Sequence, residues 1–437
     1  MLKKKSKTTS PSRILATNLL TKILSRKSPI ESTMNSDNNF NKLSIEDKKF
    51  CRLLLSETLR RFGQVNFILD KYLKLKIPKN NHLINVIRIS VTEIVFINSS
   101  KYAAINDAVE LIKLNISKSK ANMANAVLRN IDREIIELRK NTNNTQNIPK
   151  WLIKSWRDSW GLNKLDKIIN SFFKKPYLDI SINGDPTKMS ESLDATFIFG
   201  KTLRKNLSGE ISLLPKFSTK NKEEMWWVQD VAASIPAFLF KNPKGKKIID
   251  LCAAPGGKSI QLLSLGADVT SVDINSVRMN LLEENLNRLG LKNNHIIEDA
   301  AKWVPNSPPD GVLIDAPCSS TGTIRKHPEI MVFNSQPISK QLLLTQKNLL
   351  IHSSKYIKIN GYIIYAVCSI QKEEGELQID SFLSKNKNFK ISKILPNEVH
   401  EFQYSITKQG WMRIFPFYLN NLGGNDGFFI CRLKRNF

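Results

Sequence analysis

The sequence predicts an α/β protein in which a doubly wound, Rossmann-like sheet follows an all-α bundle and a small α/β connecting domain. Apolar residues recur at helical spacing from residue 12 to residue 140, with Gly63 as the only glycine of that stretch. A polar, unpatterned stretch follows at residues 141–146 and is expected to be a linker at a domain boundary. From residue 229 onward, strand and helix patterns alternate with short connections, which is typical of a mostly parallel sheet. The expected domains are residues 1–140, 148–228 and 229–437.

The composition of the 437 residues argues against membrane, secreted and fibrous proteins. Mean hydropathy is −0.26, and no apolar stretch approaches the roughly 18–20 residues that span a bilayer. The basic segment Met1–Ser10 is not followed by an apolar core, so no secretory signal is expected. Five scattered cysteines are too few for a disulfide framework or a zinc ribbon. We therefore expect a reducing, cytoplasmic compartment and no metal site.

The net charge of +27 is concentrated near the N-terminus. Residues 1–140 hold 27 Lys and Arg against 12 Asp and Glu, an excess of 15 within the first third of the chain. A genome with Lys- and Asn-rich codon usage would also raise the charge, but it would spread the excess evenly. The concentration favours a polyanionic partner that is contacted mainly through the N-terminal third.

The sequence patterns define the first predicted domain more clearly than the second. The N-terminal pattern indicates a bundle of five to seven helices. After the polar stretch, Trp151, Trp156 and Trp160 recur at helical intervals, which more often indicates a packed core than a ligand platform. Strand-like segments follow at Leu178–Ile182, Thr196–Phe199 and Ile211–Leu214. We expect a small mixed α/β domain whose role cannot be read from these patterns.

The C-terminal half predicts alternating strands and helices. The expected strands are Ile248–Leu251, Val269–Val272, His295–Ile297, Gly311–Ile314 and Tyr362–Val367. The expected helices are Ser259–Ser264, Ser276–Leu289 and Lys340–Tyr356. The segment Phe428–Leu433 at the end of the chain is expected to pair as an edge strand.

A glycine-containing turn follows the first strand of this half, in the sequence Asp-Leu-Cys-Ala-Ala-Pro-Gly-Gly-Lys-Ser from Asp250 to Ser259. Adjacent glycines allow a sharp turn and a close approach to a ligand, and the following helix N-terminus offers free N–H groups. A phosphate loop would need glycine where Cys252 stands, and no G-x-G-x-x-G fingerprint is present. These observations favour a cofactor without a pyrophosphate. The residues expected to contact it are Cys252, Ala253, Ala254, Pro255, Gly256, Gly257 and Lys258.

Acidic residues follow the next strands. Asp273 ends the second strand, where a carboxylate can accept hydrogen bonds from both ribose hydroxyls of an adenosine cofactor. Asp299 follows the third strand and is placed for the adenine edge. Each could instead be the N-cap of a helix, but three acids at consecutive strand ends, with Asp250, make that explanation unlikely for the set. The pattern fits S-adenosylmethionine.

Two cysteines lie just past the carboxyl ends of predicted strands, where doubly wound sheets bind ligands. Cys318 stands in Asp315-Ala-Pro-Cys-Ser, and Cys368 stands in Tyr365-Ala-Val-Cys-Ser. A lone cysteine in a parallel sheet is usually a small buried hydrophobe. Two thiols that converge on the mouth holding the cofactor indicate nucleophilic chemistry instead.

Together these motifs resemble the Sun family of RNA cytosine-5 methyltransferases, and further stretches are similar to its bacterial RsmB-type branch. These stretches are Val228–Ser234, Gly322–Glu329, Ile105–Lys113 and Asn125–Asn130, the last two within a half that resembles a NusB-like RNA-binding bundle. The segment Ile330-Met-Val332 departs from the usual continuation and leaves the local RNA contact open.

The resemblance implies an S-adenosylmethionine-dependent enzyme that methylates C5 of a cytosine in 16S rRNA, at cytosine 967 of that RNA. It implies that Cys368 attacks C6 of the base, that Cys318 assists release, and that Asp315 orients the cofactor and the cytosine. Lys258 would supply positive charge near the thiols. The expected partner is 16S rRNA, free or in a partly assembled small subunit, and the expected state is a monomer that binds neither DNA nor a membrane.

Two other functions remain open from the sequence. A non-catalytic RNA-binding or antitermination-type factor would keep the fold without turnover, although every reacting residue is present. A DNA cytosine methyltransferase would use Cys318 as its nucleophile, but Cys368 and the basic bundle argue against it.

Overall fold

The computed structural model describes residues 10–73, 78–205 and 225–437. The chain forms two compact units, of which the first contains the residues up to Asp158 together with 327–337. The second contains residues 159–326 and 338–437. The predicted strand Ile211–Leu214 and most of the basic segment Met1–Ser10 lie outside the described residues. No helix within the described ranges is long and apolar enough to cross a membrane.

The secondary structure follows the predicted order of a helical part and then alternating elements. The helices are α1 Pro11–Arg26, α2 Ile30–Asn35, α3 Asn38–Asn41, α4 Ile45–Arg60, α5 Phe62–Tyr72, α6 His82–Phe96, α7 Lys101–Asn115, α8 Lys118–Arg133, α9 Ile135–Lys140, α10 Lys150–Ser171, α11 Pro186–Ser192, α12 Val231–Phe238, α13 Gly257–Ser264, α14 Ser276–Arg288, α15 Glu329–Phe333, α16 Lys340–Tyr356, α17 Glu376–Lys385 and α18 Pro396–Val399. The strands are β1 Leu178–Ile182, β2 Thr196–Phe199, β3 Thr202–Lys205, β4 Trp226–Val228, β5 Lys247–Leu251, β6 Asp268–Asp273, β7 Asn294–Ile297, β8 Gly311–Asp315, β9 Tyr362–Val367, β10 Phe389–Ile391, β11 Met412–Ile414 and β12 Phe428–Arg435.

The first unit is a helical bundle built around α6. Residues 85–95 of this helix are all buried, because α1 and α4 pack on one side of it and α7 and α8 on the other. Four of the long helices, α4, α6, α7 and α8, are capped by polar side chains at their first turns, as at Ser44, whose hydroxyl accepts from the Asp47 N–H. Six helices of eleven or more residues and three shorter ones precede residue 141 in the described part, in agreement with the predicted bundle.

The boundary of this unit lies beyond the polar stretch that was expected to be a linker. Residues 144–147 form a 3₁₀ turn, and the Asn147 side chain exchanges two hydrogen bonds with Gln64, at 2.9 Å and 2.8 Å. The helix α15 also belongs here, because Val332 is buried in the bundle core and Glu329 accepts a hydrogen bond from the Ile30 N–H. The first predicted boundary is therefore displaced from residue 140 to Asp158.

The second unit contains two sheets. A four-stranded antiparallel sheet has the order β2-β3-β1-β4. The larger sheet has the order β10-β12-β9-β8-β5-β6-β7, with β11 paired to β12. The strands β9, β8, β5, β6 and β7 run parallel, as predicted for a doubly wound fold.

The prediction that Phe428–Leu433 is an edge strand is wrong. The strand β12 pairs with β9 along one side and with β10 and β11 along the other. Its first six residues are buried, and β10 takes the edge instead. The two covering strands have only three residues each, which is too short for an alternating pattern to be visible in the sequence.

The small antiparallel sheet shares a core with the larger one, so no structural break occurs at the predicted boundary after Val228. Phe199 packs against Phe238 and Phe402 with ring centroids 5.6 Å and 5.9 Å apart. The buried carboxylate of Asp179 pairs with Arg204 at 2.6 Å and also accepts from the Val231 N–H at the start of α12. The segment thus packs with the larger sheet in one compact unit.

Candidate active site

The parallel arrangement brings the predicted motifs to one edge of the sheet. The strands β5, β6, β8 and β9 are adjacent in pairs and run in the same direction, so their carboxyl ends share an edge. Leu251 is in register with Ile314, and Asp315 is in register with Ala366. The loops that begin at Cys252, Cys318 and Cys368 therefore leave the sheet side by side.

The loop after β5 is shaped by its glycine and by hydrogen bonds to β6. Gly256 has a φ of 103°, a conformation that other residues rarely adopt, and a Cβ there would meet Leu282 at 2.9 Å. The N–H groups of Ala253 and Ala254 donate to Val272 O and to the Asp273 carboxylate, both at 3.2 Å. The loop is thereby held against the end of β6, and α13 begins at Gly257 with its first N–H groups directed at the site edge.

The loop residues differ in accessibility. Ala253, Ala254, Gly256 and Lys258 are buried and Pro255 is exposed, while Cys252 and Gly257 are half-buried. Burial raises the pKa of the Cys252 thiol far above its ordinary value, so this cysteine is a neutral packing group. Five of these loop residues line a cavity of about 440 Å³ together with Asp315 and side chains of β4 and α14; the five are Ala253, Ala254, Pro255, Gly257 and Lys258.

The two predicted adenosine contacts occupy different environments. Asp273 is nearly fully buried; it accepts from the Asn275 N–H at 2.9 Å and lies 3.6 Å from the Arg278 guanidinium. Asp299 is half-buried and accepts from the Ala301 N–H at 3.0 Å. Asp273 is the last residue of β6 and Asp299 lies two residues beyond the end of β7, so both carboxylates lie at the same edge of the sheet.

The two cysteines meet. The Sγ atoms of Cys318 and Cys368 are 3.5 Å apart, and both thiols are free. The Ser320 hydroxyl lies 3.5 Å from the Cys368 Sγ. The hydrogen bond from Cys318, helped by Ser320 and by the charge of Lys258, lowers the pKa of Cys368. The same hydrogen bond, together with burial, raises the pKa of Cys318, so Cys368 is the more acidic thiol of the pair.

An ion pair lies between the cofactor loop and the cysteines. The Lys258 Nζ is 2.6 Å from the Asp315 carboxylate. Burial alone would lower the pKa of Lys258, but Asp315 reverses that effect and raises it. Lys258 therefore stays charged inside the site, where its field reaches the Cys368 sulfur.

The loop that carries Cys318 is fixed by a residue that the sequence analysis missed. Glu374 is fully buried, and its carboxylate accepts from the Ser319 N–H at 2.8 Å and from the Ser319 hydroxyl at 2.5 Å. Gln346 bridges the same carboxylate and the Pro317 carbonyl. No local sequence signal identifies Glu374, because its partners are 28 and 55 residues away in the chain.

Close backbone contacts complete the loop. The Gly322 N–H donates to Cys368 O at 3.0 Å, and its carbonyl accepts from the Gly427 N–H at 2.9 Å. A Cβ on Gly322 would lie 2.0 Å from the Gly427 carbonyl oxygen, so only glycine fits. Farther along, Lys326 is paired with the buried carboxylates of Asp230 and Asp426. Two residues of the segment Gly322–Glu329, Gly322 and Lys326, are therefore fixed by contacts with distant parts of the chain.

Comparisons with known proteins agree with this architecture. Residues 237–434 match the family model described as 16S rRNA methyltransferase RsmB/F, and residues 10–133 match the NusB family. Ribosomal RNA small subunit methyltransferase B of Shewanella oneidensis is 31% identical over 362 residues, which cover 78% of this chain and 80% of that protein. The probable ribosomal RNA small subunit methyltransferase B of Bacillus subtilis is 27% identical and covers 90% of this chain and 92% of its own length.

Solved structures show the same fold. The crystal structure of PH0851 covers 99% of this chain and 100% of its own with a TM-score of 0.77 at 21% identity. NSun6 from Pyrococcus horikoshii, solved with SFG, covers 67% of this chain and 100% of its own with a TM-score of 0.52 at 18% identity. With a NusB-type bundle before an RsmB/F-type catalytic sheet, the chain belongs to the ribosomal RNA small subunit methyltransferase B family of S-adenosylmethionine-dependent rRNA methyltransferases.

Proposed function

We propose that this protein transfers a methyl group from S-adenosylmethionine to C5 of a cytosine in 16S rRNA, at the position of cytosine 967, through a covalent adduct between Cys368 and C6 of the base. The observation that carries the proposal is the pair of thiols 3.5 Å apart, of which Cys368 is the acidic one. The pair lies at the edge of the sheet where Lys258 and Asp315 form their ion pair.

The site suits S-adenosylmethionine, which supplies an electrophilic methyl group when bound. Free N–H groups at the start of α13 suit its carboxylate, and Gly256, with a φ of 103°, makes the turn that leads directly into this helix. Asp273 and Asp299 would hold the ribose and the adenine edge. Asp273 already accepts two backbone N–H bonds, which fix the direction of its carboxylate.

Cys368 would begin the reaction. C5 of cytosine is too weak a nucleophile to be methylated directly, but addition of a thiolate to C6 turns the ring into an enamine. The new bond joins Sγ of Cys368 to C6, and the electron pair of the C5–C6 double bond becomes available for the attack of C5 on the methyl group. Asp315 would hold the N3/N4 edge of the base during this step.

Cys318 would act in the second half. After methylation, a base must remove the proton from C5 so that the C5–C6 double bond re-forms and the Cys368 thiolate leaves. Cys318 lies within hydrogen-bond distance of that leaving sulfur. The target base must be unstacked to reach this pocket, which suits a loop nucleotide in structured RNA.

The helical bundle would bind the RNA, which we take to be 16S rRNA that is free or in a partly assembled subunit, with the enzyme acting as a monomer. The excess of 15 basic residues before residue 141 supports this role.

The departure Ile330-Met-Val332 has a structural explanation, since Val332 packs in the bundle core. Removal of residues 1–140 would expose this side chain, so single exposed lysines are the better test.

The decisive experiment compares three variants, Cys318→Ala, Cys368→Ala and Cys431→Ala, with labelled 16S rRNA and S-adenosylmethionine on a denaturing gel. The first should attack and methylate but release slowly, so that a nuclease-sensitive protein–RNA adduct accumulates. The second should form no adduct and transfer no methyl group. The third is a matched control, because Cys431 is a buried thiol of β12 with a raised pKa.

The outcomes separate the alternatives. An adduct that forms in Cys368→Ala and not in Cys318→Ala would reverse the two roles, as a DNA-type cytosine methyltransferase requires. Methylation of duplex DNA in preference to RNA would support the same alternative. Absence of methyl transfer by the wild-type enzyme, despite cofactor binding, would favour a non-catalytic RNA-binding factor. Bisulfite sequencing of 16S rRNA from a deletion strain identifies the nucleotide.

A further inference from the structure

Next to the nucleophile, the second unit carries a group of partly exposed aromatic rings edged by lysines. The indole N–H of Trp160 donates to the Ile370 carbonyl at 3.1 Å, two residues beyond Cys368. Trp160 meets the buried Phe415 edge-on, with ring centroids 5.1 Å apart. Phe417 then stacks on Phe415 at 5.5 Å with an interplanar angle of 10°. The rings therefore connect the turn that holds the nucleophile, through the buried Phe415, to the partly exposed Phe417.

Three lysines accompany these rings. The Lys372 Nζ lies 4.7 Å from the centroid of Trp160, Lys164 lies 5.0 Å from that of Phe415, and Lys167 lies 6.0 Å from that of Phe417. Lys164 and Lys167 are exposed. Among the described residues, none of the three lysines forms an ion pair with a carboxylate, so their charges are available to a ligand.

We infer that this surface, defined as Trp160, Phe417, Tyr418, Lys164, Lys167 and Lys372, binds an unstacked nucleotide of the RNA strand that leads to the target cytosine. The inference rests on the proposed RNA substrate and adds where the strand lies. Aromatic faces take bases of any sequence, and neighbouring lysines neutralise the phosphates between them. When the target cytosine is flipped out, its neighbouring bases lose a stacking partner. Trp160 of this surface is hydrogen-bonded to Ile370 beside the nucleophile, so the surface is placed to bind one of those bases.

The arrangement fits a nucleic acid better than an apolar protein partner. Each ring of the surface has a lysine or a second ring beside it, and Tyr418 adds a phenol at 5.3 Å from Phe417. The three charged side chains of the surface are all lysines, which complement a phosphate backbone, although the exposed Asp166 lies between Lys164 and Lys167 in the chain. Trp160 was expected to be a core residue, and its helical neighbour Trp156 is indeed fully buried, whereas Trp160 is half-exposed.

The test measures the binding of full-length protein to refolded 16S rRNA over a range of salt concentrations, together with KM and kcat for methyl transfer. Phe417→Leu keeps an apolar side chain but removes the ring face, and it should weaken RNA binding about tenfold. The double variant Lys164→Gln/Lys167→Gln should lower the salt dependence by about 0.7 for each lost single-strand phosphate contact. Both should raise KM for RNA and leave S-adenosylmethionine affinity unchanged.

A matched control is available at the opposite end of the sheet. Lys244→Gln/Lys247→Gln removes two exposed charges before and at the start of β5, away from the strand ends that form the site, and should leave the salt slope nearly intact. The inference is overturned if the control and the Lys164/Lys167 variant bind 16S rRNA with the same affinity and the same salt slope. The same result is expected if the surface binds a protein instead of RNA. If Phe417→Leu fails to fold, the lysine variant decides.

The design separates this inference from the proposed function. If the wild-type enzyme binds 16S rRNA without methylating it, the proposed reaction fails, while a loss of affinity in the surface variants still locates the strand. If methylation proceeds normally in every surface variant with unchanged KM, the reaction stands and the inference is overturned.

Discussion

Replacing Cys318 should raise the pKa of Cys368 and slow its alkylation about tenfold at a fixed pH below that pKa. In the structure the two sulfurs lie 3.5 Å apart, at a distance where either thiol can donate, and the hydrogen bond with Cys318 is the largest cause of the lowered pKa of Cys368. A hydrogen bond to a charged group contributes about 1.5–3 kcal/mol, and a thiol is a weak donor. The lower end, about 1.5 kcal/mol, corresponds to roughly a tenfold smaller thiolate fraction at a pH below the pKa.

The pKa can be measured as the pH dependence of alkylation by iodoacetamide, with the modified residue identified by mass spectrometry. Cys318→Ala should shift the reactivity profile of Cys368 to higher pH, and Cys318→Ser should shift it less because a hydroxyl donor remains. Cys252 and Cys431 serve as internal controls, since burial raises the pKa of both thiols and both should react slowly at every pH. A profile that stays in place in Cys318→Ala would refute the assigned hydrogen bond.

Three further predictions follow from buried and exposed charges. Burial raises the pKa of Asp250 from 3.8 to about 7, so the folded state holds this proton more tightly and stability falls as pH rises between those values; urea titrations should show this fall in the wild type and a flatter profile in Asp250→Asn. Arg204→Met leaves Asp179 buried and unpaired, which should cost about 3–5 kcal/mol of unfolding free energy in urea titrations; a loss below 1 kcal/mol would contradict the pairing. Lys118→Gln/Lys120→Gln at the exposed start of α8 should weaken binding to 16S rRNA and make its salt dependence shallower; an unchanged slope would show that this end of the bundle does not contact RNA.

Much of the fold could be predicted because its signals are local. Tyr362–Val367 and Lys340–Tyr356 have the bounds that their apolar patterns predict, since a buried parallel strand and an amphipathic helix each leave a distinct periodicity. The order of strands and the turn chemistry then placed Cys318 and Cys368 at one edge, and the structure brings them to 3.5 Å. Connectivity alone sufficed, because parallel strands all end on one side.

The features that were missed depend on contacts between distant residues. Glu374 looks like an ordinary surface acid within a charged stretch, and only its contact with Ser319, 55 residues away, makes it a buried anchor. Residues 141–146 were predicted to be a linker because they are polar and unpatterned, and the hydrogen bonds between Asn147 and Gln64 that tie the adjoining turn to the bundle join residues 83 positions apart. Strand β12 was predicted to be an edge strand because β10 and β11, which pair with it, are too short to be recognised in the sequence.

The surroundings of the two sulfurs give a physical reason for their different roles. Cys368 has the Ser320 hydroxyl at 3.5 Å and feels the positive charge of Lys258, and both favour its thiolate. The negative charge of Glu374 disfavours a thiolate at Cys318 and so contributes to its raised pKa. If Cys318 carried the anion instead, the Glu374 carboxylate would oppose that charge, and the hydrogen bond from the Ser320 backbone would not outweigh this opposition and the effect of burial. Cys318 is therefore the less acidic thiol, which makes Cys368 the better nucleophile of the pair and Cys318 the better proton donor to the leaving sulfur.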